Sequence, residues 1–274
     1  MKKIRTILLL LILFSCSSKK IEWIAIGDSI TYLNEHHEET GNRISKGYLT
    51  IVTEQLPHVS YINKGYNGWT AVQIADKIES LSLTKADMYT VFLGTNDWWH
   101  GNPVGTFDDY VNDRGNETFF GAYRTIINKL KNLNPDARIV LITPMQRGDF
   151  VYIADMTNNA HGSYREKAGQ TLEQFANAIV SIASSEKLNV INLYHESGMT
   201  MKNMVKYKRL KDPVTNEYKN FPYPEYVDIP FNPKTDEYPY PPEAIDMTYD
   251  GLHPSDQGYE VIARMLIPVI TNPK

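Results

Sequence analysis

Ile21-Glu22-Trp23-Ile24-Ala25-Ile26-Gly27-Asp28-Ser29-Ile30-Thr31 is the stretch on which the reading of this chain turns. A short apolar run reaches a glycine, and the chain becomes polar at Asp28 and Ser29. This is the pattern of a buried strand ending in a tight turn that exposes a hydroxyl at the rim of a sheet. By itself Gly-Asp-Ser is three common turn residues after a strand. A catalytic serine needs a base, a group that orients the base, and donors for an oxyanion. The rest of the chain has to supply them.

Outward from that stretch, residues 32–46 are polar and read as a loop. Its His36, His37, Glu38 and Glu39 are adjacent in sequence, a spacing that seldom converges on one metal ion, and they are read as solvated. Gly47 to Leu56 has helical spacing, with Tyr48, Leu49, Val52 and Leu56 on one face, and stops at Pro57. Val59 to Asn63 is a short strand leading into a loop with Gly65 and Gly68. Thr70 can cap a helix running through Leu81. Asp87 to Leu93 is a third strand, ending in Gly94-Thr95-Asn96-Asp97. Glu117 to Leu133 is an amphipathic helix, Arg138 to Thr143 a fourth strand, Tyr164 to Lys187 a helix, and Asn189 to Leu193 a fifth strand. The alternation of strand and helix predicts an α/β fold with a parallel sheet covered on both faces.

Residues 199–247 break the alternation. Tyr207, Tyr218, Phe221, Tyr223, Tyr226, Phe231, Tyr238 and Tyr240 are interleaved there with prolines from Pro213 to Pro242. Long helices are excluded by the prolines, and the aromatics are too many for an ordinary disordered linker. The segment is either an irregular flap packed on the domain or a wall of a substrate cleft. A last helix follows Ser255 to about Ile267, after Asp250-Gly251-Leu252-His253-Pro254.

The 274 residues, 42% of them hydrophobic, allow one large domain or at most two small ones. Residues 1–15 read as a signal segment: Lys2, Lys3 and Arg5 precede an apolar run from Ile7 to Phe14 that is short for a bilayer span. Leu13-Phe14-Ser15-Cys16 resembles a bacterial lipobox, and Cys16 is the one cysteine of the chain. The expectation is a lipoprotein acylated at Cys16 and held at the cell envelope, with residues 16–20 as tether and 21–274 as the folded domain. A single cysteine excludes an internal disulfide framework and a cysteine zinc site. The formal charge of −4 falls to about −7 without the signal segment, which disfavours nucleic acid as a partner. No metal or organic cofactor is implied.

In doubly wound sheets ligands bind outside the carboxyl ends of the strands. With strand order 2-1-3-4-5, Ser29, the Gly65 to Gly68 loop and Asn96 would leave neighbouring strands and meet at one spot. Ser29 is then the candidate nucleophile, and His253 the base, its pKa naturally near working pH. Asp250 is placed to fix the imidazole tautomer. The backbone N–H groups of Ser29 and Gly68 and the Asn96 amide are the candidate oxyanion donors. Asp28 and Asp97 brace the turns beside these groups. They also stand, with Trp69, Trp98 and Trp99, as candidate substrate contacts. His58, His100, His161 and His195 read as structural or exposed.

Gly27-Asp28-Ser29, the Asn63 to Gly68 loop, Gly94-Thr95-Asn96-Asp97 and Asp250-Gly251-Leu252-His253-Pro254 resemble, in that order, the four blocks of the SGNH (GDSL-type) hydrolases. The resemblance spans nearly all of the chain after the signal segment. The first block carries isoleucine where the family pattern has leucine, a volume-conserving change. The resemblance implies a three-layer, flavodoxin-like α/β/α fold and ester hydrolysis through an acyl-enzyme. The expected activity is a serine esterase, with a short-acyl, acetyl-type ester of a carbohydrate as substrate. A lysophospholipase or acyl-thioesterase is the alternative enzyme, and an acyltransferase would share the same acyl-enzyme. A glycan-binding lipoprotein without turnover is the alternative outside enzymes.

Overall fold

A computed structural model describes residues 19–272. Residues 1–15, expected to be a signal segment, and Cys16 lie outside the described residues. The central sheet has five parallel strands: β1 (Ile21–Gly27), β2 (Val59–Gly65), β3 (Met88–Phe92), β4 (Arg138–Ile142) and β5 (Asn189–Ile191), in the spatial order β2-β1-β3-β4-β5. This is the order expected from the sequence. Five principal helices cover it: α1 (Tyr48–Gln55), α2 (Ala71–Asp76), α3 (Phe119–Leu133), α4 (Leu172–Glu186) and α5 (Asp256–Thr271).

The two faces follow from strand alternation. Ile24 and Ile26 of β1, with Tyr89, Val91, Ile139 and Leu141, are packed with α2, α3 and α4. Trp23 and Ala25, with Met88, Phe92, Val140 and Ile142, are packed with α1 and α5. Trp23 is wholly buried and donates its indole N–H to Thr90 Oγ1 at 2.9 Å, so the one polar atom of a large apolar side chain is satisfied. Burying a side chain of this class is worth about 1.5–3 kcal/mol relative to exposure. Trp23 and its helix-side neighbours therefore hold β1, the strand that carries Ser29, in the middle of the sheet.

Helix starts follow local capping chemistry. Thr70 and Gln73 form a reciprocal capping box at α2, Thr171 and Gln174 another at α4, and the Ser255 and Thr118 hydroxyls cap α5 and α3. Two helices differ from the sequence reading. The helix after Thr70 ends at Asp76 rather than Leu81, and the remainder runs as turns. The helix expected from Tyr164 starts at Leu172, because the capping box at Thr171 sets its N-terminus. Residues 143–171 instead form an irregular excursion from β4, with a small antiparallel ribbon pairing Phe150–Val151 with Asn159–Ala160.

The aromatic and proline-rich segment holds a second ribbon, Lys208–Lys211 against Tyr218–Phe221, and a 3-10 turn at Pro242–Ala244. Much of it packs behind the 143–171 excursion. The Tyr240 hydroxyl donates to the Asp149 carbonyl, and the Tyr238 hydroxyl to the Val151 carbonyl at 3.1 Å. Buried Lys208 pairs with Asp149 at 2.8 Å. Among the described residues, no helix is long and apolar enough to cross a membrane.

Candidate active site

Register brings the functional turns together. Gly27 at the end of β1 pairs with Gly65 of β2 and Phe92 of β3, and Phe92 pairs with Ile142 of β4. The carboxyl ends of four strands are therefore level, and the residues that follow them leave the same edge. Ser29, Gly68 and Asn96 all reach the wall of one cleft of about 430 Å³.

Ser29 opens a single helical turn, Ser29–Tyr32, whose N-cap is Asp28. The Asp28 carboxylate accepts the Ile30 N–H at 3.0 Å, which leaves the Ser29 N–H, an orphan of the helix start, available to the cleft. The turn is pinned from three sides. Asn63 Nδ2 donates to the Thr31 carbonyl at 3.0 Å, the Tyr259 hydroxyl to the Ile30 carbonyl at 2.9 Å, and the Thr31 and Tyr48 hydroxyls are 2.9 Å apart. A serine held this way loses little freedom when it reacts.

His253 arrives from the loop before α5. Its Nε2 lies 2.9 Å from Ser29 Oγ, and its Nδ1 lies 2.7 Å from Asp250 Oδ2. Asp250 is completely buried, and its other oxygen accepts the Leu252 and His253 backbone N–H groups at 3.0 and 2.7 Å. The three-residue loop thus fixes the carboxylate against its own histidine. The imidazole is flanked by Phe150 at 5.4 Å, edge-on, and by Tyr249 at 5.9 Å, nearly parallel. Such an arrangement can pass a proton from a serine hydroxyl to an imidazole whose cationic form a buried carboxylate stabilises.

The two loop glycines are distinguishable. A Cβ on Gly65 would come within 2.3 Å of the Tyr32 backbone nitrogen, so its glycine serves close packing. Gly68 has φ +72°, open space where a side chain would stand, and a place on the cleft wall. Asn96 Nδ2 donates to the Trp69 carbonyl at 3.0 Å. An amide nitrogen has a second hydrogen, and that one is free for the cleft.

Asp97, the next residue, is fully buried. It accepts the Ala71 N–H at 2.8 Å, the Val72 N–H at 3.4 Å and the Asn102 amide at 3.3 Å, which ties the Asn96 turn to the start of α2. The expectation that Asp28, Asp97 and Trp98 touch substrate is corrected by their burial: the first two hold backbone N–H groups inside the protein, and Trp98 packs in the core with its indole N–H on the Gln170 carbonyl. Trp69 stacks on Tyr66 at 4.5 Å, off the cleft wall. Of the five candidate contacts, Trp99 alone lines the cleft.

Burial pushes both the Asp28 and the Asp97 carboxyls up to about 6. A group whose folded pKa is raised stabilises the fold most below its unfolded value, near 4, and this contribution is lost as pH rises through 6. For Asp97 the loss is about 3 kcal/mol. Asp97→Asn cannot titrate. Its stability relative to the parent is therefore expected to improve by about that amount between pH 4 and pH 7, read from urea denaturation at each pH. A difference that stays constant across this range would refute the assignment.

The sequence reading missed the part of the wall that 143–171 provides: Arg147, Phe150, Tyr152, Asn158 and Ala160. A signal was present, because Arg147 follows the end of β4 just as Asn96 follows β3. Among the described residues, nothing from 199–247 lines the cleft, and that segment instead backs the excursion that does. Leu33, Glu39 and Asn67 close the opposite side, and exposed His100 stands on the rim. No cluster of three or more metal-ligating side chains exists among the described residues.

The GDSL-like lipase/acylhydrolase family matches residues 25–261, which include all of these turns. The chain belongs to that family. A solved structure described as a possible lipase from Chitinophaga pinensis is 60% identical and superposes with a TM-score of 0.91, covering 92% of this chain and 98% of that one. A protein from Lactobacillus plantarum, 20% identical with a TM-score of 0.60, and an acetylxylan esterase from Geobacillus stearothermophilus, 17% identical with a TM-score of 0.52, share the fold. They cover 93% and 92% of this chain, and 99% and 94% of their own. Among curated proteins no match is found. As a member of the GDSL-like family the protein is an SGNH-type serine hydrolase acting on ester bonds.

Proposed function

We propose that this hydrolase removes a short, acetyl-type acyl group from a carbohydrate through a Ser29–His253–Asp250 triad and an acyl-enzyme. The observation that carries the reading is the chain of 2.9 and 2.7 Å contacts from Ser29 through His253 to Asp250, opening into a cleft flanked by Gly68 and Asn96. His253 takes the Ser29 proton as Oγ attacks the ester carbonyl, and returns it to the departing alcohol. Water, activated by the same imidazole, then releases the acid. The developing oxyanion is met by the Ser29 and Gly68 N–H groups and the Asn96 amide.

Two features favour a small acyl group on a hydroxyl-rich alcohol. The apolar cluster beside the triad is small: Phe150, Ala160 and Leu252, with Trp99 and Tyr152 packed against them; Leu33 and Tyr249 also line the cleft. The rest of the wall mixes the amides of Asn67 and Asn158 and the Glu39 carboxylate with the Trp99 ring, a combination suited to sugar hydroxyls and a sugar face. With 4-nitrophenyl acetate, butyrate and octanoate, kcat/KM is expected to fall about tenfold or more from acetate to octanoate, because a chain with no groove to enter crowds the Phe150 and Leu252 wall, and overpacking of that kind costs about 1–3 kcal/mol. Rates that climb to octanoate would move the protein to the lysophospholipase or thioesterase class.

A further inference from the structure

Arg147 leaves the carboxyl end of β4 and lines the same cleft as Ser29, Asn96 and His253. It is 1% exposed, and its Nε and Nη2 have no hydrogen-bond partner among the described residues. The nearby carboxylates are already engaged. Asp149 Oδ1 accepts the Gly162 N–H at 2.9 Å and the Tyr164 hydroxyl at 2.6 Å, and its Oδ2 pairs with Lys208 at 2.8 Å. Both Asp250 oxygens are taken by the His253 loop. The guanidinium carbon sits 5.5 and 5.4 Å from the Trp98 and Trp99 ring centroids, held by two aromatic rings rather than by an anion. Its backbone is fixed by Ser163, whose hydroxyl accepts the Arg147 N–H at 3.1 Å and whose N–H donates to the Arg147 carbonyl at 2.9 Å.

A buried cation with unmet donors is costly unless an acceptor completes it. The planar fork of a guanidinium matches two oxygens of a carboxylate. We infer that Arg147 is a specificity-determining residue that receives a carboxylate on the alcohol part of the ester, so that the preferred substrate is an acylated acidic sugar. The inference rests on the carbohydrate-ester reading above, in which the acyl group is too small to carry that charge. Burial lowers the Arg147 pKa only to about 10, so the guanidinium is charged at neutral pH.

The test compares acetylated glucuronic acid with acetylated glucuronamide, which differ only in the charge of one group. The parent protein is expected to favour the acid by about 10- to 100-fold in kcat/KM, the range for hydrogen bonds to a charged partner. In Arg147→Gln that ratio should fall towards one, and Arg147→Lys, which keeps the charge and loses the fork, should lie between. A second measurement needs no variant. Free glucuronate should inhibit 4-nitrophenyl acetate hydrolysis at least about tenfold more strongly than glucuronamide, by the same estimate. A parent ratio near one, an unchanged ratio in a folded Arg147→Gln, or equal inhibition by inorganic sulfate overturns the inference. So does a preference for 4-nitrophenyl hemisuccinate over the butyrate ester, which would put the charge on the acyl side. Should Ser29-dependent turnover of 4-nitrophenyl acetate persist in any of these cases, the esterase reading stands and only the role of Arg147 falls.

Discussion

Ser29→Ala is expected to lower turnover of 4-nitrophenyl acetate by about 10⁵- to 10⁶-fold, the scale seen when the nucleophile of a serine triad is removed. The side chain that is lost makes one polar contact, to His253 Nε2, while the turn around it is held by backbone and neighbouring groups. The melting temperature should therefore move by no more than a few degrees, as for a substitution outside the named destabilising mechanisms. A residual rate of about 10³-fold over water is expected from the oxyanion donors and binding alone. Activity within tenfold of the parent, in a folded variant, would remove Ser29 from the mechanism and the triad with it.

Asn96→Ala should lower kcat by about 10²- to 10³-fold with little change in KM, since a donor aimed at developing charge is worth about 2.7–4 kcal/mol in the transition state. The ground-state carbonyl draws less from such a donor than the oxyanion does, which is why the loss falls on kcat. Asn96 also holds the Trp69 carbonyl at 3.0 Å, so the substitution frees one backbone acceptor of the Gly68 loop. Loosening of that loop would misplace the Gly68 N–H, itself an oxyanion donor, and would add to the loss in kcat. A loss confined to KM would show that Asn96 binds the ground state and the transition state alike and does not meet the oxyanion.

The fold was legible because its signals are local. Ile21 to Gly27 alternates between two buried faces, as a central parallel strand must, and the turn at Asp28 stops it. The capping chemistry of Thr70 and Ser255 placed two helix starts. Helix ends were harder: Ala71–Asp76 is short because packing, not periodicity, decides where a helix stays folded. The candidate site was legible to the same degree, since the register of a parallel sheet aligns strand ends and so aligns Ser29, Gly68 and Asn96.

What the sequence could not determine is which side chains face the cleft. Asp28, Asp97 and Trp98 stand beside reactive positions in the chain yet are buried, because a turn of one or two residues rotates adjacent side chains to opposite sides. Whether the tyrosine-rich segment lined the cleft depended on contacts between positions such as Tyr240 and Asp149, far apart in sequence. The sequence by itself determined the strands and their alternation with helices and singled out Ser29 as the candidate nucleophile, because strand patterning and turn chemistry are written in neighbouring residues. The tertiary structure alone decided that Arg147 enters the cleft without a partner. Whether a buried charge is paired depends on every carboxylate around it, and Asp149 and Asp250 are both spent on other partners.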